Sequence, residues 1–217
     1  MTMTPHVTAR NAEPFVWPRQ GEWTYEDWLC LPDDGWRYEV IRGVLYMSPA
    51  PTIGHQRGSR ELFRLIDAHV TGLGGEVLYA PVDVFLPGEA TPVEPDLIAL
   101  APGREDIVER NGIHGAPDLL IEILSPSTRW HDRRIKLPLF AEAGVRETWL
   151  VDPEAHTISI YSLPTEAEGD AQPERRHLES EVTPRYERAQ VFGAGERARS
   201  VVFEGLAVAV DAVVGGG

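Results

Sequence analysis

Asp118-Leu119-Leu120-Ile121-Glu122-Ile123-Leu124 is an almost unbroken apolar run with one acid inside it. A run this short and this apolar reads as a strand covered on both faces, at the centre of a mixed α/β sheet. Glu122 is its odd member. A carboxylate there costs several kcal/mol unless it is paired or holds a cation. Two readings stay open: an ion pair to an arginine of a neighbouring helix, or a metal ligand.

Working outward, Pro95 to Leu100 and Glu76 to Phe85 read as further strands, the latter bent at Pro81. The stretch between Leu100 and Asp118 reads as a loop with Pro102, Gly103, Gly112 and Gly115. His55 to about Val70 carries Leu62, Phe63, Leu65, Ile66 and Val70 at helical spacing. Upstream, Thr24 caps a short helix at Tyr25 to Leu29. Tyr38 to Ile41, Arg42-Gly43 and Val44 to Met47 form a hairpin. Downstream, Thr128 to Ala143 reads as a helix bent at Pro138. Glu147 to Val151 pairs with Thr157 to Tyr161, and strands fit 185–191 and 199–203. Leu206 to Val214 reads as a short, exposed apolar helix, and 164–180 as an acidic loop. Residues 1–22 read as an arm and 23–217 as one domain.

The chain has 217 residues and a formal charge of -14. Proteins that coat nucleic acid are usually basic, so general coating is excluded, whereas an enzyme with a local basic patch is not. Cys30 is the one cysteine, which rules out an internal disulfide and suits a reducing, cytoplasmic setting. No stretch approaches the length of a membrane span, and the N-terminus lacks an apolar signal core. Arginine occurs 19 times and lysine once, at Lys136.

These residues suggest a constellation. Asp96 opens the strand before that of Glu122, and adjacent strands lie about 4.8 Å apart, so the two acids can share a cation. Mg²⁺ takes one or two such oxygens and completes its shell with water and phosphate. Asp118 stands about 13 Å along the strand from Glu122 and suits a strand-start role. Lys136 lies four residues beyond Asp132, which permits a solvated helix pair or a catalytic ammonium. His55 opens its helix, a place that suits either an exposed histidine or one turned into the cleft. Glu39 sits within the hairpin, placed to reach the cleft or to pair with Arg37 or Arg42.

Tyr-Glu-Val-Ile-Arg-Gly-Val-Leu (38–45), Met-Ser-Pro-Ala-Pro and His-Gln (47–56), Glu-Pro-Asp-Leu (94–97), Gly-Ala-Pro-Asp-Leu-Leu-Ile-Glu-Ile-Leu-Ser-Pro-Ser-Thr (115–128) and Trp-Leu-Val-Asp (149–152) resemble the Uma-two family of restriction endonucleases. That family belongs to the PD-(D/E)XK nuclease superfamily, and the resemblance runs from about residue 22 onward. It implies a restriction-endonuclease-like mixed sheet flanked by helices, with an N-terminal hairpin and a C-terminal β meander. It implies Mg²⁺-dependent DNA hydrolysis, with Mn²⁺ as a possible substitute. By carry-over, Asp96 and Glu122 are the paired acids, and the Ile123 carbonyl completes the metal shell. The superfamily's lysine position holds Leu124 here, and Lys136 matches the helix lysine that can stand in for it. His55 and Glu39 become accessory residues. Arg57, Arg60, Arg129 and Arg133, with Arg64 and Arg134, are candidate phosphate contacts. The resemblance also implies a homodimer, with the arm and Leu206 to Val214 as contact surfaces. Two rivals stand beside this reading: a catalytically weak interaction or defence-associated protein keeping the nuclease fold, and a metal-dependent hydrolase of a small phosphorylated substrate. A basic cleft at Asp96 and Glu122 would favour nucleic acid, and a closed pocket would favour the small substrate.

Overall fold

The structure, a computed structural model, describes residues 16–89, 91–164, 185–187 and 189–214. Most of the expected arm and the acidic loop at 164–180 lie outside the described residues. The first helix, α1 (Tyr25–Leu29), has Thr24 and Asp27 in a reciprocal capping box. Strands β1 (Arg37–Ile41) and β2 (Val44–Ser48) pair antiparallel around Arg42-Gly43. Both turn residues have positive φ, 52° and 76°, as a two-residue hairpin turn requires. Gly43 is required for a second reason: a Cβ there would lie 2.5 Å from the Gly21 carbonyl oxygen. Gln20 and Gly21 are themselves hydrogen-bonded to this hairpin, at Leu45 and Gly43.

The long helix α2 (Ile53–Val70) leads to β3 (Glu76–Tyr79), β4 (Val84–Phe85) and β5 (Leu97–Leu100). The single bent strand expected over Glu76 to Phe85 is two strands in different sheets, divided at a cis Ala80–Pro81 bond. The expected loop before Asp118 contains β6 (Val108–Glu109) and β7 (Gly112–His114), which form a small sheet with β4. Next come β8 (Leu119–Ile123), β9 (Glu147–Asp152), β10 (Thr157–Ser162) and β11 (Gln190–Phe192). The main sheet runs β11-β10-β9-β8-β5-β3, with β8 and β9 parallel and the other neighbours antiparallel.

A parallel pair needs a crossover, and residues 124–146 supply it. The crossover is not one bent α-helix. It comprises α3 (Arg129–His131), a π-helical turn (Asp132–Lys136) and α4 (Leu137–Glu142). Pro138, in the first turn of α4, has no N–H to give to an α-helical ladder, so it sits where the regular ladder is already interrupted. Every residue of β8 is buried, as its composition demands. Leu119, Ile121 and Ile123 pack toward α2, and Leu120 packs toward Leu139 and Phe140 of α4.

The chain ends with β12 (Arg197–Arg199), β13 (Ala207–Ala209) and α5 (Val210–Val214). The expected helix over Leu206 to Val214 is therefore half strand. It is also not exposed: Leu206, Val208, Val210, Val213 and Val214 are buried in the core beside α2. Those apolar side chains are spent on the chain's own core rather than presented to a second copy. No described helix is long and apolar enough to cross a membrane.

One buried acid is structural. Glu147, at the start of β9, accepts from Ser200 Oγ (3.1 Å) and from the N–H groups of Val201 (2.7 Å) and Val202 (2.9 Å), and also from Trp149 Nε1. It fastens the 200–202 segment to the sheet. Glu147→Ala strands these donors and should cost about 2–4 kcal/mol in a urea unfolding measurement. A loss below about 1 kcal/mol would show that water re-pairs the donors and that the carboxylate fastens nothing.

Candidate active site

Leu97 pairs with Ile121 and Ile98 with Leu120 across β5 and β8. Continuing that register by one residue sets Asp96 opposite Glu122 on the same sheet face. Both are buried, and both line one cavity of about 280 Å³ with Ile123, Glu39, His55 and Lys136. The six residues singled out in the sequence therefore meet in one place.

Asp96 is well supported. Its Oδ2 accepts the Ile123 N–H (2.8 Å) and faces His55 Nε2 at 3.0 Å, while Arg37 lies 3.6 Å from Oδ1. Burial alone would raise the Asp96 carboxyl, but His55, the Ile123 N–H and Arg37 outweigh it and hold the group below its ordinary value. His55 is thus no exposed helix-end histidine: the Thr52 cap starts α2 so that its ring reaches the acid.

Glu122 is the opposite case. Burial pushes its carboxyl well above the ordinary range. Lys136 opposes the rise, while the charges of Asp132, Asp96 and Glu39 add to it. The two acids of one site are thus driven apart by their surroundings, a pattern common where carboxylates do chemistry.

Lys136 is buried between two carboxylates, with Nζ 2.8 Å from Glu122 Oε1 and 2.9 Å from Glu39 Oε1. The solvated Asp132–Lys136 pair is excluded, since both side chains are buried and the ammonium binds elsewhere. The partner of Glu122 is this lysine, not an arginine. Burial would lower the Lys136 ammonium, but Glu122, Glu39 and Asp132 raise it above its ordinary value. Glu39 pairs with neither Arg37 nor Arg42, because Arg42 bridges Glu89 and Glu142. Burial would raise the Glu39 carboxyl, yet Lys136, His131 and the Glu94 N–H lower it to about 2.

Three contributors escaped the sequence reading. Arg37 reaches Asp96 from the hairpin. His131 Nε2 lies 3.3 Å from Glu39 Oε2, its ring against Tyr46 at a centroid distance of 4.2 Å. Asp132 adds a buried negative charge, and burial raises its carboxyl. The π-helical turn carrying Asp132 and Lys136 is a signal of function in itself, but no residue pattern announces it. Leu124 is buried and apolar.

The candidate phosphate arginines divide. Arg129 and Arg133 both bind Asp152, at 2.9 and 3.4 Å, and Arg129 also binds Glu154. They clamp the crossover to β9. Arg57 and Arg60 lie exposed on α2.

A divalent cation fits the donor set. Five carboxylates line the cavity (Glu39, Glu94, Asp96, Glu122 and Asp132) against Arg37, Lys136 and His55. Among the described residues no three Asp, Glu, His or Cys side chains converge as a ready-made metal centre. A cation held by two carboxylates, with water and substrate oxygens completing its shell, is the habit of Mg²⁺.

Comparison with known proteins bears on the fold and the family. A solved structure from Anabaena variabilis ATCC 29413, described as a "putative nuclease belonging to DUF820", superposes with a TM-score of 0.66 at 20% identity, covering 89% of this chain and 98% of its own. It shares the mixed sheet and flanking helices. No curated protein matches. The profile of the Uma2 family, described as "Putative restriction endonuclease", matches residues 24–189, a span that holds every site residue above. The chain belongs to the Uma2 family of the restriction-endonuclease-like proteins.

Proposed function

We propose that this protein hydrolyses DNA phosphodiester bonds with the help of a divalent cation, Mg²⁺ or in its place Mn²⁺. The observation that carries the reading is the in-register Asp96–Glu122 pair beside a buried lysine, within a nuclease-family chain. Asp96, Glu122 and the Ile123 carbonyl would hold the cation. When bound, such an ion polarises the phosphate and lowers the pKa of a coordinated water.

The chain's own residues have separable tasks. Lys136 stays protonated between its carboxylates, so it is no general base. Its compact ammonium donates hydrogen bonds and offsets the charge that grows on phosphorus. Glu39 pins Lys136, and His131 braces Glu39 from its far oxygen. His55 and Arg37 fix the rotamer of Asp96.

A small phosphorylated substrate is the second reading, favoured by the size of the cavity. Supercoiled plasmid and p-nitrophenyl phosphate, each incubated with Mg²⁺, Mn²⁺ or a chelator, separate the two. Nicking that needs the cation is the expected result. Phosphatase turnover without nicking would replace the first reading with the second.

A further inference from the structure

The catalytic cavity is walled by acids, so it cannot itself draw a polyanion, and the attraction must come from a neighbouring surface. One such surface adjoins it. Pro51 lines both the catalytic cavity and a second groove on the outer face of α2. That groove is formed by Ile53, Gln56, Arg57, Arg60 and Phe63 along one helical stripe, with Tyr79 from the end of β3. Among the described residues, its lining carries no carboxylate. The grooves around Arg42, Tyr161 and Arg104 each do, at Glu89, Glu187 and Glu105. In a chain of charge -14, a groove beside the site whose described lining holds two arginines and no carboxylate stands out.

Its aromatic pair has a specific form. Phe63 and Tyr79 meet edge to face, with centroids 4.8 Å apart and planes at 75°. Phe63 thus braces a Tyr79 ring that is 59% exposed, at the edge of the main sheet. A braced, exposed aromatic ring beside arginines is how single-stranded nucleic acid is held: bases stack on the ring and guanidinium groups take the phosphates. Arg57 and Arg60 stand one turn apart on the groove wall. The exposed Arg60 also touches the half-buried Glu61, which Arg64 binds as well, a surface pair weak enough to exchange for phosphate.

We propose that this groove binds an unpaired DNA strand next to the scissile phosphate, with Tyr79 stacking on a base and Arg57 and Arg60 on phosphates. This rests on the nuclease reading only for the word scissile; the binding itself does not need catalysis. The full chain is titrated against fluorescein-labelled oligothymidylate with a chelator present, and anisotropy is followed across a salt series.

Tyr79→Ala should weaken binding roughly 5- to 150-fold, and Tyr79→Phe should restore most of it. Arg57→Ala with Arg60→Ala should make the log–log salt slope shallower by about 1.4, the effect of two phosphate contacts on a single strand. All three positions are surface ones, so unchanged melting temperatures are the control. Wild-type affinity in these variants, no measurable binding by the wild type, or equal affinity for a blunt duplex would each overturn the proposal. Groove-dependent binding by a protein that cuts no DNA would sustain the groove and sink the nuclease reading. Cutting by a protein whose groove variants bind normally would do the reverse.

Discussion

Lys136→Met should cost roughly 3–5 kcal/mol of folding stability and abolish cleavage together. The side chain is buried, and its ammonium is the cation between Glu122 and Glu39. Deleting it leaves buried acids from β1, β8 and the π-helical turn facing one another. The pH dependence carries a sign. In the wild type, Glu39 is held at about 2, below the 4.5 of a free glutamate. Its stabilisation is complete above 4.5 and is lost as the pH falls toward 2. Without Lys136 the buried acids are pushed upward, so the variant should lose stability as the pH rises above 4.5. Urea unfolding checks both limbs: the wild type should gain stability between pH 2 and 4.5, and above 4.5 the variant should fall more steeply than the wild type, whose Lys136 offsets the cost of ionising Glu122. Lys136→Arg separates charge from chemistry. Guanidinium keeps the pairing but is planar and wider, so it cannot place one compact ammonium beside the reacting phosphate. Cleavage should fall about 100-fold or more, near 3 kcal/mol of barrier. A fully active Lys136→Arg enzyme would remove Lys136 from the reaction and leave Leu124 without its substitute.

The parts of this fold governed by local pattern were legible. The alternation around Arg42-Gly43 fixed the hairpin, the stripe from Leu62 to Val70 fixed α2, and the apolar run at 119–123 fixed the sheet centre. Asp96 and Glu122 were legible for the same reason, since a short antiparallel register brings them together. What failed depended on tertiary packing. Ala207–Ala209 is a short apolar segment, and such segments do not reveal whether they pair as strand or coil as helix. Val84–Phe85 and Gly112–His114 are too short to show a period, yet they pair in parallel because Ile113 N–H reaches the Asp83 carbonyl. Lys136 looked like half of a surface pair because Asp132 is four residues away. Nothing in that spacing shows that both face inward, toward a glutamate 97 positions earlier in the chain (136 minus 39). Arg129 and Arg133 looked like free phosphate ligands for a related reason, because Asp152 lies on another strand.

Glu122→Gln should abolish cleavage while leaving stability unchanged or raised, and that combination separates a working carboxylate from a structural one. Glutamine keeps the shape, and its amide oxygen can still accept from Lys136 Nζ where Glu122 Oε1 does now. It removes a negative charge that burial and three neighbouring acids oppose. Because the Glu122 carboxyl is raised, its ionised form is a cost to the fold that grows with pH, and the amide is free of that cost. The same change strips the proposed cation of one of its two carboxylates, and loss of such a ligand should lower the rate by about 100-fold or more. Asp96→Asn should behave differently: its carboxylate is held below its ordinary value by His55, the Ile123 N–H and Arg37, so neutralising it removes stabilisation as well as activity. Thermal melts and plasmid nicking on the two variants test the contrast. If Glu122 served only as counter-ion to Lys136, Glu122→Gln would melt lower and still cut. Natural sites keep such a strained acid when the reaction needs its charge, and the pairing of a higher melting point with a dead enzyme is the signature to look for.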